Sequence, residues 1–157
     1  MKSVLRIVLA VVAGMALAFV LVVTVEMFSA VVHPFPPGLD PNAPGSIPAH
    51  VQRYPGWVLA VAGLMWGGTA AAAVWVASRI GGRAAGAVVT LLLAAALAFN
   101  LSMLPYVMWF KIAMPAAFFV ACLLGVRGGG RRLSYFRGAA AETQVSTSAS
   151  DGPPIAR

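Results

Sequence analysis

Glu26 is the only carboxylate inside a long apolar run of this chain. A charged side chain at membrane depth is costly, so it faces a partner or a cavity, and it often marks an ion or proton path. Asn100 and Lys111 sit in two further apolar runs. Glu26 lies eight residues before Pro34, about 12 Å of helix rise. Asn100 lies five residues before Pro105 and Lys111 five after Tyr106, about 7–8 Å in each case. The three therefore fall at similar depth, near one end of their helices. Pro115 cannot donate to the carbonyl of Lys111, which frees that carbonyl at the same level and predicts a kink. A carboxylate, an amide, an ammonium and a free carbonyl fit two chemistries. The first expectation is a Glu26–Lys111 ion pair, satisfied by Asn100, that fixes helix register. The second is an outward-facing pocket in which Glu26 binds or relays a proton or cation. Lys111 also has the alternative of snorkelling to the headgroups.

Other groups offer less. His33 follows Glu26 by seven residues on the same helical face, but Pro34 disfavours helix at His33, which makes it an interfacial residue. His50 reads as a loop residue without a companion, and Asp40 is the one acidic residue of the loop. Two histidines, the single Cys122 and two carboxylates on that side do not make a metal site. Cys122 permits no internal disulfide and reads as a small buried hydrophobe. No phosphate-binding glycine loop, nucleophile elbow or triad pattern occurs. The sequence thus predicts no catalytic residue, no metal and no cofactor. His33 and Asp40 remain the loop candidates an enzyme would need.

The elements that carry these groups follow from hydropathy. The chain of 157 residues is 61% apolar and 10% charged, against roughly 45–50% and 25% in soluble domains. A bilayer is the solvent that suits it. Four apolar runs, at about 7–32, 57–78, 84–104 and 106–126, each supply the about 20 residues a spanning helix needs. The first begins after Lys2 and Arg6, but it exceeds a signal-peptide core and lacks a small-residue cleavage site, so it reads as an uncleaved anchor. Lys2, Arg6, Arg79, Arg83, Arg127, Arg131, Arg132, Arg137 and Arg157 fall on one side of the four runs, and only Arg53 and Lys111 on the other. Basic residues mark the cytoplasmic side. Tyr54, Trp57, Tyr106 and Trp109 lie at the outer ends, where amphipathic rings prefer to sit. The expected fold is an all-α polytopic membrane protein, a four-transmembrane-helix bundle over 1–126 with both termini inside, in a bacterial cytoplasmic membrane.

The outer loop, 33–56, holds seven prolines and should be stiff and extended, with a short turn of helix near Pro48–Tyr54 resting on the membrane. After Val126, Gly128, Gly129 and Gly130 are expected to end the last helix. Arg127, Arg131, Arg132 and Arg137 should lie against anionic headgroups, and the remainder, to 157, reads as disordered. The net charge of +7 belongs to these membrane flanks and not to nucleic-acid binding. Small residues let membrane helices approach closely. Gly14, Gly63 and Gly67 are the candidates, Gly63-x-x-x-Gly67 the sharpest, with packing inside the chain the first reading and a homo-oligomer or membrane partner the second.

The segment Glu-x6-His-Pro-Phe-Pro-Pro-Gly-Leu-Asp, Glu26 to Asp40, resembles a group of small uncharacterised bacterial four-span proteins. The resemblance extends over about 24–109, through the Gly/Ala-rich second run and Asn100-x4-Pro105 before Trp109. It implies the four-span architecture and no activity. The group's pattern has a histidine and a second proline after the position of Pro105, where this chain has Tyr106 and Val107. The first expectation for function is a structural or accessory membrane component, not an enzyme. The alternatives are a small transporter or proton-coupled carrier using Glu26, and an enzyme on a lipid or quinone.

Overall fold

A computed structural model describes the backbone of residues 2–38 and 40–150 and the side chains of 3–38 and 40–129. Helix α1 is Lys2–Val32, α2 is Ser46–Val51, α3 is Gly56–Met103 and α4 is Met108–Ser150, with no strand among the described residues. Three stretches are long and apolar enough to cross a membrane, Ser3–Val32, Gly56–Met103 and Met108–Gly129.

At 48 residues α3 would be about 72 Å long if straight, more than twice the about 30 Å of a hydrocarbon core. It is broken at Gly82, whose backbone lies at φ 78° and ψ −174°. That region is essentially closed to residues with a Cβ. The two halves lie side by side, since Gly14 of α1 packs within a methyl's reach of both Ala77 before the break and Val89 after it. Arg6 donates from Nε to the carbonyl of Ile80, satisfying one of the acceptors that a helix end leaves free. Gly82→Ala is expected to destabilise the fold by on the order of 1–3 kcal/mol, read as a lower melting temperature in detergent. Arg83→Ala, one residue on, should leave it nearly unchanged.

Helices α1 and α4 each pack on α3 and not on one another. The packed surfaces are rich in small residues. Ala10, Ala18, Ala70, Ala73, Ala77 and Ala85 are buried together with Leu59, Leu97, Phe110, Met114 and Phe118, whereas Phe19, Leu64, Leu91, Phe99 and Phe119 point outward. Small residues let backbones approach closely, which in a hydrocarbon solvent replaces the hydrophobic effect. A Cβ at Gly14 would come within 2.9 Å of the Ala73 carbonyl, and one at Gly125 within 2.7 Å of that of Ala71. A Cβ at Gly63 would stand 3.3 Å from the Phe110 ring, and one at Gly67 would meet only the Ala121 methyl at 3.9 Å. The Gly63-x-x-x-Gly67 motif is therefore the loosest of these contacts and Gly125 the tightest.

The end of α4 departs from expectation. Gly128–Gly130 do not stop it, and the helix continues to Ser150. Gly128 and Gly129 press against Trp75 and Ser78 of α3, so these glycines serve close packing where the sequence suggested a terminus. The helix also runs on through Pro115. Arg127 is exposed. The headgroup contacts expected of Arg131, Arg132 and Arg137 fall on side chains outside the described set, as does the structure of 151–157.

Candidate functional site

The site lies at the end of the bundle remote from Arg6 and Gly82. Helix α1 carries Glu26 and Ser29 to this end, and the chain leaves it at His33, whose amide still donates to the Ser29 carbonyl at 2.8 Å. The loop that follows is held by local bonds. Asp40 Oδ1 accepts from the Asn42 amide at 2.9 Å, and the Ser46 hydroxyl donates to the Pro41 carbonyl at 2.7 Å. These bonds set the start of α2, the short helix anticipated near Pro48. Val51 is buried and Tyr54 half-buried beneath it, while Ile47 stays exposed. The loop is thus folded over the bundle, and not merely extended.

Beneath the loop is a cavity of about 400 Å³ lined by α1, the loop, both ends of α3 and the start of α4. Glu26, His33, His50, Tyr54, Asn100 and Tyr106 supply its polar groups. Phe35, Trp66 and Phe110 add further aromatic wall. No lysine or arginine lines it, so Glu26 is its one group of full charge. The Asn100 side chain lies near the Tyr106 hydroxyl, and Ser29 near the Tyr54 hydroxyl. Burial, and then the Glu26 charge, push the Tyr106 phenol up to about 12 and that of Tyr54 upward as well. Both remain protonated and present O–H groups to the cavity.

Glu26 and Asn100 both line this cavity. Lys111 does not join them. It is absent from the cavity wall, and the backbones of α1 and α4 do not come into contact. Equal depth places residues at one level of a bundle, but lateral order decides which of them touch. Asp40 is exposed and turned to its own loop, outside the wall.

His50 corrects the reading of an isolated loop residue. Its ring stacks on that of His33 at 4.6 Å and 17°, with Phe35 at 4.4 Å and Tyr54 edge-on at 5.3 Å. Burial, then the nearby His33 and Arg53, hold the His50 imidazole below its ordinary 6.5, with the His33 backbone opposing in part. The neutral form is therefore favoured by folding. That contribution is complete above the unfolded value of 6.5 and is lost as pH falls through the lower folded value. Acidification from about pH 7 to about pH 5 is expected to loosen α2 over the cavity. Corrected hydrogen-exchange protection of the α2 amides should fall over that range, and a His50→Phe variant should show no such fall.

His50, Tyr54, Trp66 and Tyr106 were not legible as one site. Two of the aromatic rings announced only a headgroup belt, and nothing in the spacing said that a proline-rich loop would bring a histidine onto His33. Comparison with protein-family models, curated proteins and solved structures finds no match to this chain.

Proposed function

We propose that this chain is a four-span protein of the bacterial cytoplasmic membrane, with both termini inside, and that its outer cavity binds a small organic cation at Glu26. The topology rests on the break at Gly82, which divides α3 into two lengths each sufficient to cross, and on Arg6, Arg79 and Arg83 gathered at the end opposite Glu26. Basic residues favour the cytoplasmic face.

The binding role rests on one observation. A cavity of about 400 Å³ holds a carboxylate with no cationic partner in its walls, among five aromatic rings, Phe35, Tyr54, Trp66, Tyr106 and Phe110. A cation over an aromatic face gains about 0.5–1 kcal/mol where exposed and about 2 or more where desolvated, and the carboxylate supplies the counter-charge. Water-facing loop residues on one side and membrane on the other give such a ligand a way in. The wall itself gives Glu26 no lysine or arginine as counter-ion, which supports a ligand in that place. We read the cavity as a binding site and not as a catalytic one. A carboxylate that must be ionised to hold a cation also lets protons compete, which is the chemistry of proton-coupled exchange.

Titration of the purified protein with benzyltrimethylammonium, followed by tryptophan fluorescence and calorimetry, tests the reading. The cation should bind at neutral pH and more weakly in acid. Its neutral isostere neopentylbenzene and the anion phenylmethanesulfonate should not compete for the site. Equal binding of all three, or no binding of the cation, would sink it.

A further inference from the structure

A second cavity, of about 230 Å³, lies beside the first, on the side toward Gly82. Met15 and Val22 of α1, Ala70 and Leu93 of α3 and Phe118 of α4 form its walls. Apart from the Trp66 indole, the one polar side chain in that wall is Thr69, which already donates its hydroxyl to the Met65 carbonyl at 2.9 Å. The cleft therefore offers a ligand an almost wholly apolar surface and no charge. Trp66 and Leu97 belong to both cavities, so the polar chamber and the apolar cleft share a wall at the indole. From Glu26 to Met15 the helix rises about 16 Å, which carries the cleft well into the hydrocarbon.

A dry apolar cleft at that depth does not hold water, which would find no partners there, and left empty it forfeits dispersion contacts on every wall. Hydrocarbon is what fills it. We infer that the chamber and the cleft form one site for a single-chain cationic amphiphile, its ammonium head at Glu26 and its alkyl chain passing Trp66 between α1 and α3; this rests on the cation-binding reading above. The division of chemistry along the site favours that occupant. Negative charge is confined to the outer chamber, and in the wall of the inner cleft saturated side chains outnumber the three aromatic rings, Phe19, Trp66 and Phe118. An anionic or zwitterionic lipid would bring a phosphate against Glu26 with no lysine or arginine in the chamber wall to receive it.

The test uses the full chain in lipid nanodiscs, with Trp57, Trp75 and Trp109 changed to phenylalanine so that Trp66 alone reports. Dodecyltrimethylammonium brominated at mid-chain should quench Trp66 more than its unbrominated parent does. Excess benzyltrimethylammonium should relieve that quenching, because the two heads compete for Glu26. Ala96→Phe narrows the cleft from its exposed side and should reduce the quenching while benzyltrimethylammonium still binds as before. Val22→Phe serves the same end should Ala96→Phe fail to fold. Quenching that the short cation does not relieve, or that neither cleft variant reduces, overturns the amphiphile while leaving cation binding intact. Failure of the short cation to bind at all overturns both.

Discussion

Glu26→Gln is expected to weaken benzyltrimethylammonium binding by roughly a hundredfold and to leave the folded yield unchanged. Glutamine keeps the shape of the side chain and removes its charge. Close charge pairs couple across an interface by about 1.5–7 kcal/mol; Glu26 is an exposed residue, which puts it in the lower part of that range, and about 1.4 kcal/mol is tenfold in affinity. The unchanged yield follows from the packing. No lysine or arginine stands in the cavity wall beside Glu26, so neutralising it strands no ammonium there. Calorimetry on wild type, Glu26→Gln, Lys111→Met and the double variant measures both properties together. Stability effects of the two changes should add within about 0.3–0.5 kcal/mol, as for sites without shared contacts. Loss of yield in each single variant with recovery in the double would restore the register-fixing ion pair. Undiminished binding by Glu26→Gln would end the cation reading.

The largest effect on stability is expected from Gly125→Val. A Cβ there would stand 2.7 Å from the Ala71 carbonyl oxygen and 3.1 Å from the Val74 Cβ. A backbone oxygen cannot swing aside as the end of a long side chain can, so α4 must move away from α3. We expect a loss beyond the about 1–3 kcal/mol that overpacking usually costs. Gly67→Ala is the control on the same pair of helices. Its Cβ would meet only the Ala121 methyl at 3.9 Å, and alanine is the better helix former. Thermal unfolding in detergent should find it neutral or slightly stabilised. Equal losses in the two variants would show that the helices do not pack in the register described.

The contrast between these two glycines illustrates how far sequence reading reaches. A small-x-x-x-small pattern can be read from spacing alone, and it selected Gly63 and Gly67. How closely two backbones approach depends on crossing angle and on the facing residue, neither of which is written in the pattern. Close approaches to a facing backbone carbonyl occur instead at Gly14, Gly125 and Gly129. The run Gly128–Gly130 looked like a terminus because glycine weakens an isolated helix. Packing against Trp75 and Ser78 gives the first two another use.

Composition and hydropathy by themselves determined the solvent. With 61% apolar and 10% charged residues, the chain cannot cover itself with polar surface, and three long apolar helices follow. Spacing determined depth, because a helix rises by a fixed amount per residue. Depth was enough to bring Glu26 and Asn100 to one level. Only the tertiary structure decided neighbours at that level. It set α1 and α4 against α3 and apart from each other, left Lys111 out of the cavity wall, and folded the proline-rich loop so that His50 meets His33 above the cavity. Lateral order in a bundle depends on which small faces fit, and that fit depends on pairs of residues distant in the chain.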